Sequence, residues 1–267
     1  MDANKYVSLL RPLNCFISSF GVFVGFAVAT GGQVPNAMLL FAMASAFLIT
    51  GAGNAVNDYY DSEIDARLGK ARANPAKNIL IYSLALFAIG IILASPINTQ
   101  ALAIAIAVSM LLFAYSAWMQ NYKFLGNWVV ALGTAMTLFF GASISGNYGP
   151  IILPAGSALF ANAAREIIKD KEDVAGDRGI KKTLPMMVGK GVLIIVPALY
   201  LAAIALAIAA WALGIMKGPY YIALVLGAGF LFYRSWKLLE EEKAHEAQEH
   251  SKYGMILALL AFLGGIL

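Results

Sequence analysis

The sequence predicts an all-α polytopic membrane protein: a bundle of nine transmembrane helices, arranged as two pseudo-repeated four-helix halves plus a ninth helix, in a single integral-membrane domain over residues 1–267. Composition is the first reason. The chain is 60% hydrophobic and 13% charged with a mean hydropathy of +0.74, whereas a soluble domain has about a quarter of its residues charged. The second is that its apolar residues gather in runs long enough to cross a hydrocarbon core. The third is that its charges fall on alternate connections.

Runs of about 17 to 25 mostly apolar residues are expected to span. They cover Asn14 to Thr30, Asn36 to Val56, Asn78 to Ser95, Thr99 to Trp118, Asn127 to Ile144, Ile151 to Ile168, Gly191 to Ile215, Tyr220 to Leu238 and Ser251 to Leu267. The first follows Arg11 and Pro12, lacks a small-residue cleavage site and leads into further spans, so it is expected to be a retained helix. The single Cys15 excludes an intrachain disulfide and reads as a packing residue.

The connections "GGQVPN", "SPINTQ" and "SGNYGP" carry no charge and "MKGP" carries only Lys217, while the rest of the 19 basic and all 15 acidic residues lie on the other side. Positive residues in short loops mark the cytoplasmic face. The N-terminus and the charged face are therefore expected inside and the C-terminus outside. With basic residues explained by topology and interleaved with acids, the net charge of +4 gives no reason to expect a nucleic-acid partner.

"NAVNDYYDSEID" continues the second run. Asn54, Asp58, Asp61 and Asp65 stand at i, i+4, i+7 and i+11, one stripe of a helix, and Glu63 points away. Like charges stacked on one face call for a cation among them. Magnesium suits the set, because it takes oxygen ligands, uses only one or two carboxylates directly and completes its shell with water and substrate phosphates. The device recurs after the sixth run in "NAAREIIKDKEDVAGD", where Asp170, Asp173 and Asp177 occupy i, i+3 and i+7, with Glu166 a turn earlier and Glu172 facing away. Both stripes end an even-numbered span, four spans apart, which suggests parallel pseudo-repeats. Paired in space they would form a two-metal cradle, with Lys169, Arg178, Lys181 and Lys182 near it to hold the oxygens of a diphosphate.

These residues resemble the UbiA superfamily of intramembrane prenyltransferases, whose aspartate-rich motifs read N-D-x-x-D-x-x-x-D and D-x-x-x-D. The first is Asn57, Asp58, Asp61 and Asp65; the second is Asp173 and Asp177, preceded by Asp170 and followed by Gly179 and Thr183-Leu184-Pro185. The likeness extends through "LLRPLN", Tyr115-Ser116 and "FLGNWVVALGTAMTLFFGA". The short N-terminus, "NDYYDSEID" and "HSKYGM" look most like the archaeal branch that makes ether lipids. Two departures stand out: "ARLGKARANPAKN" offers Arg67, Lys70 and Arg72 without an Arg-Pro pair, and Gln120 and Asn121 replace a basic pair, with Lys123 displaced.

The resemblance implies magnesium-dependent transfer of a geranylgeranyl group from an allylic prenyl diphosphate to a lipophilic acceptor, either geranylgeranylglyceryl phosphate or an aromatic quinone precursor. It implies metal held by Asn54, Asp58, Asp61, Asp173 and Asp177, the four aspartates being the catalytic set. Arg11, Asn57, Asp65, Tyr115, Lys123, Lys169, Asp170, Lys181 and Lys182 would bind substrate, the last two reaching the acceptor's phosphate. Tyr115 or Tyr122 would stabilise the allylic cation through its ring face. Oligomeric state is not legible. An ion-coupled transporter is the competing class, but its acids belong at the midplane rather than at one mouth. "LLEEEKAHEAQEHSKYG", with His245 and His250 about 140° apart, reads as a solvated inner-surface helix and not as a zinc site.

Overall fold

The computed structural model describes residues 3–61, 76–119, 123–177 and 183–266. Among them all regular structure is helical: α1 (Ala3–Leu10), α2 (Pro12–Thr30), α3 (Ala37–Tyr60), α4 (Ala76–Ala94), α5 (Thr99–Ala117), α6 (Lys123–Ala142), α7 (Ile152–Asp177), α8 (Leu184–Val188), α9 (Val192–Ala212), α10 (Tyr221–Glu240) and α11 (Ala244–Gly264). Among the described residues, eight helices are long and apolar enough to cross a membrane. The chain is thus a multi-pass membrane protein. The last apolar run departs from expectation, because it continues a helix that begins at Ala244 and whose first turns carry Glu246, Glu249 and Lys252.

Helix ends follow local chemistry. Asn36 and Asn98 cap α3 and α5, their side-chain oxygens accepting from the backbone N–H of Leu39 and Ala101. Gly31, with φ 64°, closes α2 in the left-handed conformation that favours glycine. Pro12 opens α2, where its missing N–H is no loss.

Helix α2 packs on α3, α6 and α11; α3 also packs on α4 and α5; and α7 packs on α6, α9 and α11. Lipid tails are as apolar as leucine, so close packing and hydrogen bonds hold such helices together. A Cβ added to Gly25 would overlap the Leu138 carbonyl, and one on Gly141 would overlap that of Val22, so α2 and α6 cross backbone to backbone. Ser45 Oγ donates to Gly90 O (2.7 Å), tying α3 to α4, and Ser235 Oγ donates to Ala247 O (2.7 Å), tying α10 to α11. Large apolar side chains such as Leu40, Ile92, Met110, Ile194 and Leu226 face outward, a surface suited to lipid.

The two ends of the bundle differ. At one, uncharged groups join the connections: Asn98 Nδ2 donates to Ser143 O, Asn147 Nδ2 to Ala29 O and the Tyr148 hydroxyl to Gln100 Oε1. At the other, charged side chains meet, and there the candidate site lies.

Candidate active site

Helices α3 and α7, with 24 and 26 residues, are about 36 and 39 Å long at 1.5 Å per residue. A hydrocarbon core of about 30 Å leaves their last turns outside it. Those turns carry Asp58, Asp61, Asp170 and Asp173, the polar residues a hydrocarbon core would exclude.

Asp58 is buried, 4% exposed. Arg11 Nη2 donates to its Oδ1 at 2.9 Å. Arg11 itself occupies the left-handed region (φ 50°, ψ 68°) at the join of α1 and α2, a conformation that costs a non-glycine residue about 1–2 kcal/mol. The turn thereby aims the guanidinium back over the end of α3. One turn away, Asn54 Nδ2 donates to Leu10 O (2.7 Å), which leaves the amide oxygen to accept. Asn57 Nδ2 donates to Asp61 Oδ2 (2.7 Å), and Asp61 closes α3.

The second stripe is equally buried at its base. Glu166, 5% exposed, receives Arg165 Nη1 at 2.9 Å and faces Lys169 Nζ at 3.7 Å. Asp170, 4% exposed, accepts from Asn127 Nδ2 at 2.9 Å. Asp173 is half-buried a turn further on. Glu172 faces away as expected, pairing with His245 Nδ1 and Gln248 Nε2 of α11, both at 2.9 Å. Asp65, Tyr122, Arg178, Lys181 and Lys182 lie outside the described residues, as do the side chains of Lys123 and Asp177, which begin α6 and end α7.

Beside these helix ends opens a cavity of about 560 Å³, reached by Asn54 and Asn57 of α3 and by Glu166 and Lys169 of α7. Helices α2, α3, α5, α6, α7 and α11 line it, each with one face. Arg11, Asn54, Asn57, Tyr115, Glu166 and Lys169 surround its charged end, and Ile17, Ile104, Leu138, Phe140, Leu259 and Phe262 make its depth apolar. Tyr115 lies in electrostatic range of Glu166 and Asp170 from α7 and of Asp61 and Arg11 from the other wall, so both stripes face one region. Gly126 makes room for the phenol, since a Cβ there would come within 2.7 Å of its ring.

Sequence reasoning missed four contributors. Asn127 gave no signal beyond opening its span. Arg165 gave one, its place beside the already noted Glu166 at the end of an apolar stretch. Gln248 and Lys252 sat in the stretch expected to be a solvated surface; the helix that holds them turns that face onto the cavity instead.

The donor set around the mouth consists of carboxylate and amide oxygens, which suit a hard cation rather than zinc or copper. Among the described residues no three His, Cys, Asp or Glu side chains are gathered to hold a metal ion by themselves. Magnesium draws much of its shell from substrate phosphates and water.

Charged mouth, apolar depth and paired acidic helix ends define an intramembrane enzyme that handles an amphiphilic, anionic substrate. The chain belongs to the UbiA prenyltransferase family, whose family model matches residues 18–261. A curated relative from Methanopyrus kandleri named digeranylgeranylglyceryl phosphate synthase is 35% identical over 98% of this chain and 99% of its own. A solved structure concerned with digeranylgeranylglyceryl phosphate synthase in membranes superposes with a TM-score of 0.80 at 28% identity, covering 99% of this chain and 98% of that one. A UbiA homologue from Archaeoglobus fulgidus, solved bound to GPP and Mg2+, shares the fold with a TM-score of 0.68 at 17% identity, covering 97% of this chain and 99% of its own.

Proposed function

We propose that this prenyltransferase moves a geranylgeranyl group from geranylgeranyl diphosphate to the free hydroxyl of geranylgeranylglyceryl phosphate, the acceptor implied by the name its relative carries. The observation that carries this reading is one cavity with a charged mouth and an apolar depth, lined by Asn54 of the first stripe and by Glu166 at the base of the second. A donor with a diphosphate head and a long hydrocarbon tail matches both ends.

Asn54, Asp58 and Asp61 on α3 and Asp173 and Asp177 on α7 would hold Mg2+, with Asp65 adjoining. Held there, magnesium would supply positive charge to offset that of the leaving diphosphate. Arg11, Lys123 and Lys169 would hold diphosphate oxygens, and Lys181 and Lys182 would reach the acceptor's phosphate. Asn57 orients Asp61, and Asn127 does the same for Asp170. When the allylic carbon–oxygen bond breaks, the Tyr115 ring face stabilises the cation without attacking it. The apolar walls exclude water, which would otherwise capture it. The acceptor hydroxyl then forms the new ether bond and gives its proton to a phosphate oxygen of the departing diphosphate or to an unligated aspartate.

The reading extends to topology. The charged end is cytoplasmic, α11 is the ninth span and its C-terminal end lies outside. The halves are α2 to α5, and α6, α7, α9 and α10. In support, α3 packs on its neighbours α2 and α4 as α7 packs on α6 and α9.

The test offers purified protein with magnesium and geranylgeranyl diphosphate either geranylgeranylglyceryl phosphate or a dihydroxynaphthoate. Ether product from the first alone is expected. Product from the naphthoate alone would replace this reading with the aromatic one.

A further inference from the structure

The α7–α11 side of the cavity carries more positive charge than the diphosphate reading uses. Of the charged side chains lining the cavity among the described residues, Arg11, Arg165, Lys169 and Lys252 are cationic and Glu166 is acidic. Arg11 pairs with Asp58 on α3 and, with Lys169, belongs to the proposed diphosphate site. Arg165 and Lys252 belong to the other wall.

Arg165 is held on two sides and free on a third. Its Nη1 donates to Glu166 and its Nη2 to Gln248 Oε1 at 2.8 Å, while Nε is buried without a hydrogen-bond partner. A buried, unused guanidinium N–H is costly and calls for an acceptor. Gln248 and Lys252 lie one turn apart on α11, so the bond to Gln248 sets Arg165 close to Lys252. The Lys252 side chain is only 15% exposed, and its partner Glu249 lies outside the cavity lining, so ammonium protons remain for a ligand.

The same face of α11 continues as Met255, Leu259 and Phe262, all lining the cavity. Spacings of 4, 7, 11 and 14 residues from Gln248 keep these side chains on one stripe. A polar and cationic head therefore gives way along one helix face to an apolar track.

We propose that Arg165 and Lys252, braced by Gln248, form a subsite for the phosphate monoester of the acceptor lipid, distinct from the metal-assisted diphosphate site, with the acceptor's chain lying along Met255, Leu259 and Phe262. A phosphate monoester presents three terminal oxygens and close to two negative charges, which a guanidinium and an ammonium match without a metal. The inference rests on the proposed acceptor class.

The experiment measures steady-state kinetics of Lys252→Met and Arg165→Gln with geranylgeranylglyceryl phosphate and with the same lipid lacking its phosphate, geranylgeranylglycerol. Lys252→Met keeps side-chain length, and so stands should Arg165→Gln fail to fold. The KM for the phosphorylated acceptor should rise about tenfold or more, the loss of one charge-assisted contact. The KM for geranylgeranyl diphosphate should stay within about twofold in Lys252→Met, and in both variants the ratio of kcat/KM for the phosphorylated over the unphosphorylated acceptor should fall about tenfold, whatever the overall rate. A matching rise in the diphosphate KM would assign the cations to the donor, and an unchanged acceptor KM in a folded variant would likewise overturn the subsite. Wild-type protein that neither uses nor binds geranylgeranylglyceryl phosphate, read by its thermal shift, would overturn the acceptor reading and the subsite with it.

Discussion

Arg11 shows how one residue joins backbone geometry to chemistry. Its left-handed φ of 50° is what glycine tolerates and alanine does not. Arg11→Ala should therefore melt lower than Arg11→Gly, by about 1 kcal/mol of stability. Both should lose at least about tenfold in kcat/KM for the prenyl diphosphate, because neither holds an anion. Equal stability of the two would contradict the strained turn, and full activity in either would remove Arg11 from the site. Asp58 makes a sharper case. Asp58→Asn keeps the shape but gives up the charge proposed for metal, so transfer should fall below about one part in a hundred while the solubilised protein stays folded. Asp173→Asn should behave alike; retained activity in either would break the paired-stripe account. The placing of Asp58 and Asp61 at one helix end and of Asp170 and Asp173 at another was legible from spacing. Their partners were not, since the pairs Asn127 with Asp170 and Arg11 with Asp58 span 43 and 47 residues of sequence and exist only through packing.

At the level of elements, hydropathy located the long helices well and their ends poorly. A bilayer selects apolar runs, so α2 to α5 fall close to the expected windows. Hydropathy ends where polarity begins, however, and α7 continues nine residues beyond Ile168 to Asp177, while α11 starts seven residues before Ser251. Those polar extensions carry site residues, because they sit where helix meets water. The short helices α1 and α8 were missed for the same reason: neither has the length of a span. The α2–α6 crossing was hidden as well, since glycine spacing alone does not say which helix comes close. Gly141→Leu should force that crossing apart, cost about 1–3 kcal/mol and lower the melting temperature of the detergent-solubilised protein by several degrees. An unchanged melt would contradict the close backbone approach, and activity should fall with stability because Leu138 and Phe140 line the cavity beside it.

For the whole molecule, the charge asymmetry seen in the sequence becomes a division of labour between the two ends of one bundle. The uncharged end is fastened by amide and hydroxyl bonds; the charged end gathers six helices around a cavity. Single cysteines introduced at Ser145 and Lys190, in a chain with Cys15→Ser, test the proposed orientation. A membrane-impermeant maleimide applied to intact cells should label the first and spare the second, and the reverse pattern would invert the topology. The central claim is that both acidic stripes serve one magnesium-dependent transfer reaction in that cavity. Its most direct measurement is pyrophosphate release by purified protein given geranylgeranyl diphosphate, with and without magnesium and with and without geranylgeranylglyceryl phosphate. The account predicts release in step with ether product, lost when either magnesium or acceptor is withheld. Release that ignores magnesium, or none with any acceptor alongside ion flux in liposomes, would contradict it.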